Sequence, residues 1–293
     1  MPLSLTEAVA RVPQWVDAKG LQTTPLPGGI TNQNFRVEVG GEAFVLRITG
    51  ENTELLGVNR ENEYAASMSA GRLGIAPEVV YFIKPESYLV THFIEGRLLP
   101  FEEIGRPENI RRVVEAIRRI HALPPVGSEF CPFQFVKTAT EIVRQYNVTF
   151  PDNFDWITEH INEIETVALQ YPFTPCVCHN DLLNANFLIN DEDRLYVLDW
   201  EYAAMGDPFF DLANFSAHHE FSDEQDSLIL ETYFEAVTPS SLERLRLMKI
   251  TSDCREAMWA LIQIGISQLD FDFRRYANKH FERLTQSIKE QQI

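Results

Sequence analysis

Val177-Cys178-His179-Asn180-Asp181-Leu182-Leu183-Asn184-Ala185-Asn186-Phe187-Leu188-Ile189, followed shortly by Leu195-Tyr196-Val197-Leu198-Asp199-Trp200-Glu201, is the most informative part of this 293-residue chain. Phe187 to Asn190 and Leu195 to Leu198 are short and apolar, and Asp191-Glu192-Asp193-Arg194 between them reads as a polar turn, so the two runs should pair as a hairpin. Register across a four-residue turn sets Phe187 opposite Leu198 and Asn186 opposite Asp199. Opposed residues lie about 5 Å apart at their Cα atoms, which brings an amide oxygen and a carboxylate together at one end of the hairpin. One carboxylate and one carbonyl, with room for waters and phosphate oxygens, is a donor set suited to magnesium. Asp181, five residues before Asn186, lies in the same loop and can face the same point.

Working back towards the N-terminus, Phe35 to Val39 alternates apolar and polar, Gly40-Gly41 supplies a two-residue turn, and Ala43 to Ile48 returns. Pairing across that turn sets Val39 opposite Glu42 and Asn34 opposite Arg47. Phe35, Val37, Phe44, Leu46 and Ile48 then share a core face, while Asn34, Arg36, Val45 and Arg47 share the other. Arg47 thus points to the same side as the preceding loop, Pro27-Gly28-Gly29-Ile30-Thr31-Asn32-Gln33. Its glycines permit close backbone approach to a ligand, and Thr31 and Asn32 can donate hydrogen bonds. A helix begins after Val58, with Tyr64, Ala65 and Met68 on one face and Gly71 and Gly74 at its end; Glu61 and Glu63 ride on it. Glu78 to Ile83 and Tyr88 to Phe93 should extend the sheet, and Ile94-Glu95-Gly96-Arg97 reads as a connector.

Beyond it the pattern turns helical. Ile110, Val113, Val114, Ile117 and Ile120 give an amphipathic helix bounded by Pro107 and Pro124-Pro125. Two more helices fit between Cys131 and Gln170, broken near Pro151, and the chain from Asp223 onward is helical with Pro239 separating two segments.

With 45% hydrophobic and 23% charged residues the chain has ample material for a packed core, which excludes global disorder. The net charge of −18 argues against binding nucleic acid or anionic lipid through the overall field and favours a cationic substrate. No apolar run reaches the roughly 18 residues of a membrane-spanning helix, so membrane insertion is not expected. Four cysteines and an N-terminus without a basic and apolar leader point to a reducing, cytoplasmic setting. Cys176-x-Cys178-His179 has no second ligand pair at short spacing, so its thiols read as buried strand cysteines.

His179-x-Asp181 with Asn186 five residues on and Asp199 on the next strand is the arrangement of kinase-type phosphoryl transfer. The sequence resembles the choline/ethanolamine kinase branch of the aminoglycoside phosphotransferase-like kinases. Further pieces carry the resemblance: Gly28-Gly29-Ile30-Thr31-Asn32, Val45-Leu46-Arg47-Ile48, Asn59-Arg60-Glu61-Asn62-Glu63, Asp199-Trp200-Glu201-Tyr202 and Asp211-Leu212-Ala213-Asn214. They span roughly residues 20 to 265 in the family's order. The resemblance implies an α+β, two-lobed protein-kinase-like fold, with a small β-rich nucleotide-binding lobe over residues 1–95 and a larger, mainly helical catalytic and acceptor-binding lobe over 96–293. It implies ATP and Mg2+ as cofactors, with Asp181 acting on the substrate hydroxyl and Asn186 and Asp199 holding the metal. Gly28, Gly29, Thr31, Asn32 and Arg47 would meet the phosphates, and the backbone near His92, Phe93 and Ile94 would meet the adenine. Glu61 is the expected anchor of Arg47, with Glu63 the second choice; Asp211 would brace the loop of His179 and Asp181, and His179 would fix that loop.

For the acceptor, the resemblance implies a small cationic alcohol, choline or ethanolamine first, contacted by Asp181, Glu201 and Trp259. Two positions depart from the family: Glu256 stands where a further Trp is common and His218 where a pocket Glu is common. The alternatives are another small-molecule kinase, of aminoglycoside or thiamine type, and a nucleotide-binding pseudokinase acting through partner contacts. Oligomeric state stays open at this level.

Overall fold

The computed structural model describes residues 3–27 and 31–291. A short helix, α1 (Leu5–Ala10), opens on a capping box in which Ser4 and Glu7 satisfy each other's backbone amides. Strands β1 (Gln22–Pro25), β2 (Gln33–Val39) and β3 (Glu42–Ile48) follow, then helix α2 (Arg60–Arg72) and strands β4 (Val79–Ile83) and β5 (Tyr88–His92). These strands form one antiparallel sheet in the order β1-β2-β3-β5-β4. The β2–β3 register is the expected one, Val39 facing Glu42 and Asn34 facing Arg47, because Gly40 and Gly41 both adopt the left-handed φ that a tight two-residue turn requires. Val37, Phe44, Leu46 and Ile48 pack with Ala8, Val12, Trp15, Ile83, Tyr88 and Val90 into a small core on one face of this sheet.

The chain then enters a second, larger body. Strand β6 (Gly96–Leu98) leads to α3 (Phe101–Ile104), α4 (Pro107–His121), α5 (Pro132–Gln145) and α6 (Phe154–Ala168); next come β7 (Cys176–Cys178), β8 (Phe187–Asn190), β9 (Leu195–Val197) and β10 (Ala204–Gly206); and the chain closes with α7 (Pro208–His218), α8 (Asp223–Phe234), α9 (Pro239–Ile266) and α10 (Phe273–Gln291). The 28-residue α9 is buried along most of its second half and packs against α5, α7 and α10. Among the described residues, no helix is long and apolar enough to cross a membrane.

Three expectations change. The supposed connector at Ile94–Arg97 contributes β6, which pairs with β8 and converts the hairpin into a three-stranded sheet. A Cβ on Gly96 would lie 2.5 Å from the Ile189 carbonyl oxygen, so the strand can approach only with glycine there. The β8–β9 hairpin is shifted by one residue: Phe187 faces Val197, not Leu198. Its turn has three residues, because Asn190 N donates to Arg194 O while the Asn190 side chain accepts from the amides of Glu192 and Arg194, and Asp193 takes a left-handed φ. Helix α2, finally, buries Asn62, Glu63, Ala66, Ser67 and Ala70 and leaves Tyr64, Ala65 and Met68 only half-buried.

At the end of α7, His219 is buried among Phe101, Phe215 and Phe221. Its Nδ1–H donates to Phe215 O, and burial drives its pKa from 6.5 down to about 4. The unfolded chain therefore binds this proton more tightly than the folded one. The stabilisation is fully present above about pH 6.5 and is lost as pH falls towards 4. Denaturant titrations across that window should show about 3 kcal/mol of acid-linked loss in the wild type that is absent in His219→Gln; parallel slopes for the two proteins would exclude His219 as its source.

Candidate active site

The segment between β7 and β8 is fixed from behind by α7. Asp211, fully buried, accepts from the backbone amides of His179 and Asn180 at 2.8 and 2.7 Å, and Asn214 accepts from Leu182 N at 2.6 Å. Asn180 takes a left-handed φ of 64°, and its side-chain amide donates to Tyr202 O. His179 is completely buried, and its Nε2 sits 2.9 Å from Leu198 O; since a carbonyl only accepts, Nε2 carries the proton. Burial lowers the His179 pKa, so the ring stays neutral and ties the loop to the hairpin. These contacts leave Asp181 half-buried, with Asn186 Nδ2 donating to its backbone oxygen at 2.8 Å and to its Oδ2 at 3.2 Å.

Leu198 N donates to Asn186 O at 2.8 Å, so the hairpin's pairing continues one step beyond its strands. Asp199 follows in a left-handed conformation, φ 58°, that turns the chain out of the strand. Despite the shifted register, Asn186 and Asp199 remain at the same end of the hairpin and both line one cleft. Asp199 pairs with Arg47, which also pairs with Glu63.

Glu63, not Glu61, is therefore the carboxylate against Arg47. The Asn59 side chain caps α2 by accepting from Glu61 N and Asn62 N. From that start, residues 63, 66, 67 and 70 share the inward face, while Glu61 projects outward to Lys84 with its side chain 68% exposed. Sequence reasoning also missed the role of Arg60. Its guanidinium donates to Glu63 Oε2 at 2.7 Å, Glu201 Oε2 at 3.2 Å and Thr53 Oγ1 at 2.9 Å. Glu201, expected at the acceptor, is buried in this network and also accepts from Asn32 Nδ2 at 2.8 Å. It lies one residue past the buried Trp200, whose indole N–H donates to Val197 O and fixes the turn. Burial, reinforced by Asp199, raises the Glu201 pKa against the pull of Arg47 and Arg60. Thr31 is half-buried and Asn32 buried next to Gly50; Gly28 and Gly29 lie outside the described residues.

The cleft between the two bodies has a volume of about 540 Å³, the size of a small-ligand site. Its walls include Val45, Leu89, Phe93, Leu98, Leu188 and Leu198, and its polar end holds Arg47, Asn186 and Asp199. His92 N and Phe93 N donate to Glu78 O and Ala43 O. Ile94 N–H has no acceptor among the described residues, which leaves it available to a planar heterocycle in the cleft. An apolar slot, an available edge amide, a buried guanidinium and an amide–carboxylate pair fit a magnesium nucleotide.

On the other side of Asp181 lies a second polar group. Asp181, His218 and Glu256 bring ligand atoms within 4.8 Å of one another. His218 Nε2 is 3.5 Å from Glu256 Oε1, Tyr276 OH donates to Glu256 Oε2 at 3.0 Å, and the buried Arg255 pairs with Glu256. The Asp181 pKa rises to about 7, driven first by burial, with Glu256 and Asp199 adding to the rise and Arg255 and His218 opposing it. Burial works against the Glu256 charge, yet Arg255, His218 and His280 hold its pKa well below the carboxylate range. Trp259 is only 5% exposed; its indole N–H donates to Tyr202 OH at 2.8 Å, and Phe273 and Tyr276 meet it edge-on. It stands in the wall behind Tyr276, a core residue before it is an open face for a ligand.

The chain belongs to the phosphotransferase enzyme family, whose model matches residues 22–248, and it is a small-molecule kinase. It is similar to a choline/ethanolamine kinase family protein of known structure from Mesorhizobium loti, at 29% identity and a TM-score of 0.81, over 96% of this chain and 92% of that one. It is also similar to protein LicA of Haemophilus influenzae, 27% identical over 277 residues, which are 90% of this chain and 79% of LicA. With ethanolamine kinase 2 of Mus musculus it shares 27% identity over 309 residues, 92% of this chain and 77% of that enzyme. With these relatives it shares the two-lobed, protein-kinase-like fold, a small β-sheet lobe followed by a larger helical one.

Proposed function

We propose that the protein transfers the γ-phosphoryl group of ATP to the hydroxyl of a small amino alcohol, and that a primary amine such as ethanolamine serves better than choline. Asn186 and Asp199 would hold magnesium, which when bound would supply positive charge against the transferred group; Arg47 steadies the phosphates with Glu63 as its anchor, and Ile94 N–H meets the base. Asp181 aligns the acceptor hydroxyl and takes its proton.

The observation that carries the acceptor class is the surroundings of Asp181. Two carboxylates, Asp181 and Glu256, stand together beside the reacting point with Arg255 and His218 against them, and a carboxylate whose pKa burial has raised gains from an incoming cation. Beside His218 Nε2, three acceptor oxygens gather there: Asp181, Glu256 and the Tyr276 hydroxyl oxygen, whose own proton goes to Glu256 Oε2. An N–H3 head can bond to all of them, whereas a trimethylammonium head needs aromatic faces, and Trp259 is buried with its N–H engaged.

Steady-state ADP release with ethanolamine, choline and an aminoglycoside tests the reading. The expected result is magnesium-dependent turnover of both amino alcohols, with a lower KM for ethanolamine. Tyr276→Phe removes one polar atom and should raise the ethanolamine KM about threefold to tenfold while leaving the ATP KM alone. Turnover of the aminoglycoside alone would refute the acceptor class; a choline preference insensitive to Tyr276→Phe would refute the role of the polar head site.

A further inference from the structure

Strand β7 places Cys176 and Cys178 two residues apart, so both side chains project from one face of the strand. Their sulfurs lie 3.9 Å apart. Two thiolates on a tetrahedral zinc ion, at bond lengths of about 2.3 Å, stand about 3.8 Å from each other, so the thiols already have the spacing of a shared ion. The neighbouring His179 does not bring a ring nitrogen within ligand distance of both sulfurs, and its Nε2 is held by Leu198 O. Instead His121, the last residue of α4 and 55 positions before Cys176 in the chain, brings a ring nitrogen to the pair, with all three ligand atoms within 4.8 Å of one another.

The surroundings complete a binding site. His121 Nε2 is 3.0 Å from Asp211 Oδ2, and Nδ1 is 2.6 Å from Tyr233 OH. Both ring nitrogens are engaged, so the one that takes an ion exchanges its oxygen partner for the metal while the other keeps its own and fixes the ring, the outer arrangement usual for metal-bound histidine. Gly206 pairs with Cys176 across β7–β10 and lies against the Cys178 side chain. Cys178 is buried while Cys176 is half-buried, so an ion would reach the trio from the Cys176 side. None of the three lines the nucleotide cleft.

We propose that Cys176, Cys178 and His121 bind a thiophilic divalent cation of the zinc class, separately from the magnesium of the nucleotide site. Binding displaces two protons from the trio to solvent and leaves a neutral Cys2His centre whose fourth position a water would fill. Asp211 joins this centre to the loop of Asp181, since the same carboxylate meets His121 and the amides of His179 and Asn180.

The test is a titration of the reduced full-length chain with Co2+, in the absence of nucleotide. The expected result is a thiolate-to-cobalt band in the near ultraviolet with visible bands of tetrahedral cobalt, saturating at one equivalent and displaced by Zn2+. Cys176→Ser, half-buried and so the gentlest change, should abolish the near-ultraviolet band, as should Cys178→Ser; His121→Gln should shift the visible bands. Cys131→Ser and Cys254→Ser should leave the spectrum unchanged. No thiolate band in folded, reduced wild type, or a band that survives Cys176→Ser, overturns the proposal. Neither readout depends on kinase turnover, so the result stands apart from the acceptor assignment.

Discussion

Asp199→Asn is expected to fold and bind ATP yet to transfer phosphoryl groups at a rate lower by roughly 10³-fold or more, the scale of losing an electrostatic clamp on a transferring group. The side chain lines the cleft beside Arg47 and makes little packing contribution, its side chain being 35% exposed. Asparagine is the informative replacement because Asp199 sits at φ 58°. Asn tolerates that left-handed conformation, whereas alanine would add about 1–2 kcal/mol of backbone strain to the lost charge. With the carboxylate gone, Arg47 keeps Glu63, so the guanidinium remains in place for the phosphates. The defect should therefore reside in the metal dependence: the magnesium concentration needed for half-maximal rate rises, while calorimetric binding of metal-free ATP changes little. Wild-type turnover at ordinary magnesium would remove Asp199 from the metal site.

The same residue shows why much of the site could be read before the structure. Parity in the first hairpin follows from a two-residue glycine turn, and a two-residue turn admits one register, so the placement of Arg47 is secure. In the second hairpin Asn190 enlists its own side chain to close a three-residue turn, a local hydrogen bond that counting polar residues does not reveal. The slip moves the pairing by one, but Asn186 and Asp199 stay together because both lie past the strand ends, where a one-residue error changes their neighbours and not their common end.

Other features depend on contacts remote in sequence. Hydropathy places the apolar side of α2 inward, but that helix buries a polar face because Arg47 and Arg60 pair there with Glu63, Arg60 reaching on to Glu201, and because Asn62 bonds to Ser128 and Ala203 O. Periodicity sees apolar stripes and has no signal for a charged one. A signal did exist for Glu63: it is one helical turn before Ala66 and two before Ala70, in register with the small residues that let α2 approach its neighbours. Trp259 stands out on composition as a cation-binding face, yet only packing shows that Tyr202, Phe273 and Tyr276 surround it.

Asp181→Asn should lower kcat by about 10²- to 10⁴-fold, the usual scale for a lost general base, and leave the ATP KM within about twofold. Asparagine preserves the shape and an acceptor oxygen, so Asn186 Nδ2 keeps both of its contacts, one of them to the backbone oxygen at 2.8 Å. The loop is otherwise held by Asp211 and Asn214 through amides that the substitution does not touch. What disappears is the charge beside Glu256 and His218 and the ability to take a proton from the acceptor. The acceptor KM should rise as well, because one of the two carboxylates that would attract a cationic head is removed. Extra magnesium should not rescue this variant, which separates it from Asp199→Asn: one loses the ion's carboxylate, the other the hydroxyl's. A kcat within a few-fold of wild type, with the acceptor KM alone raised, would make Asp181 a binding group and require the proton to leave by another route.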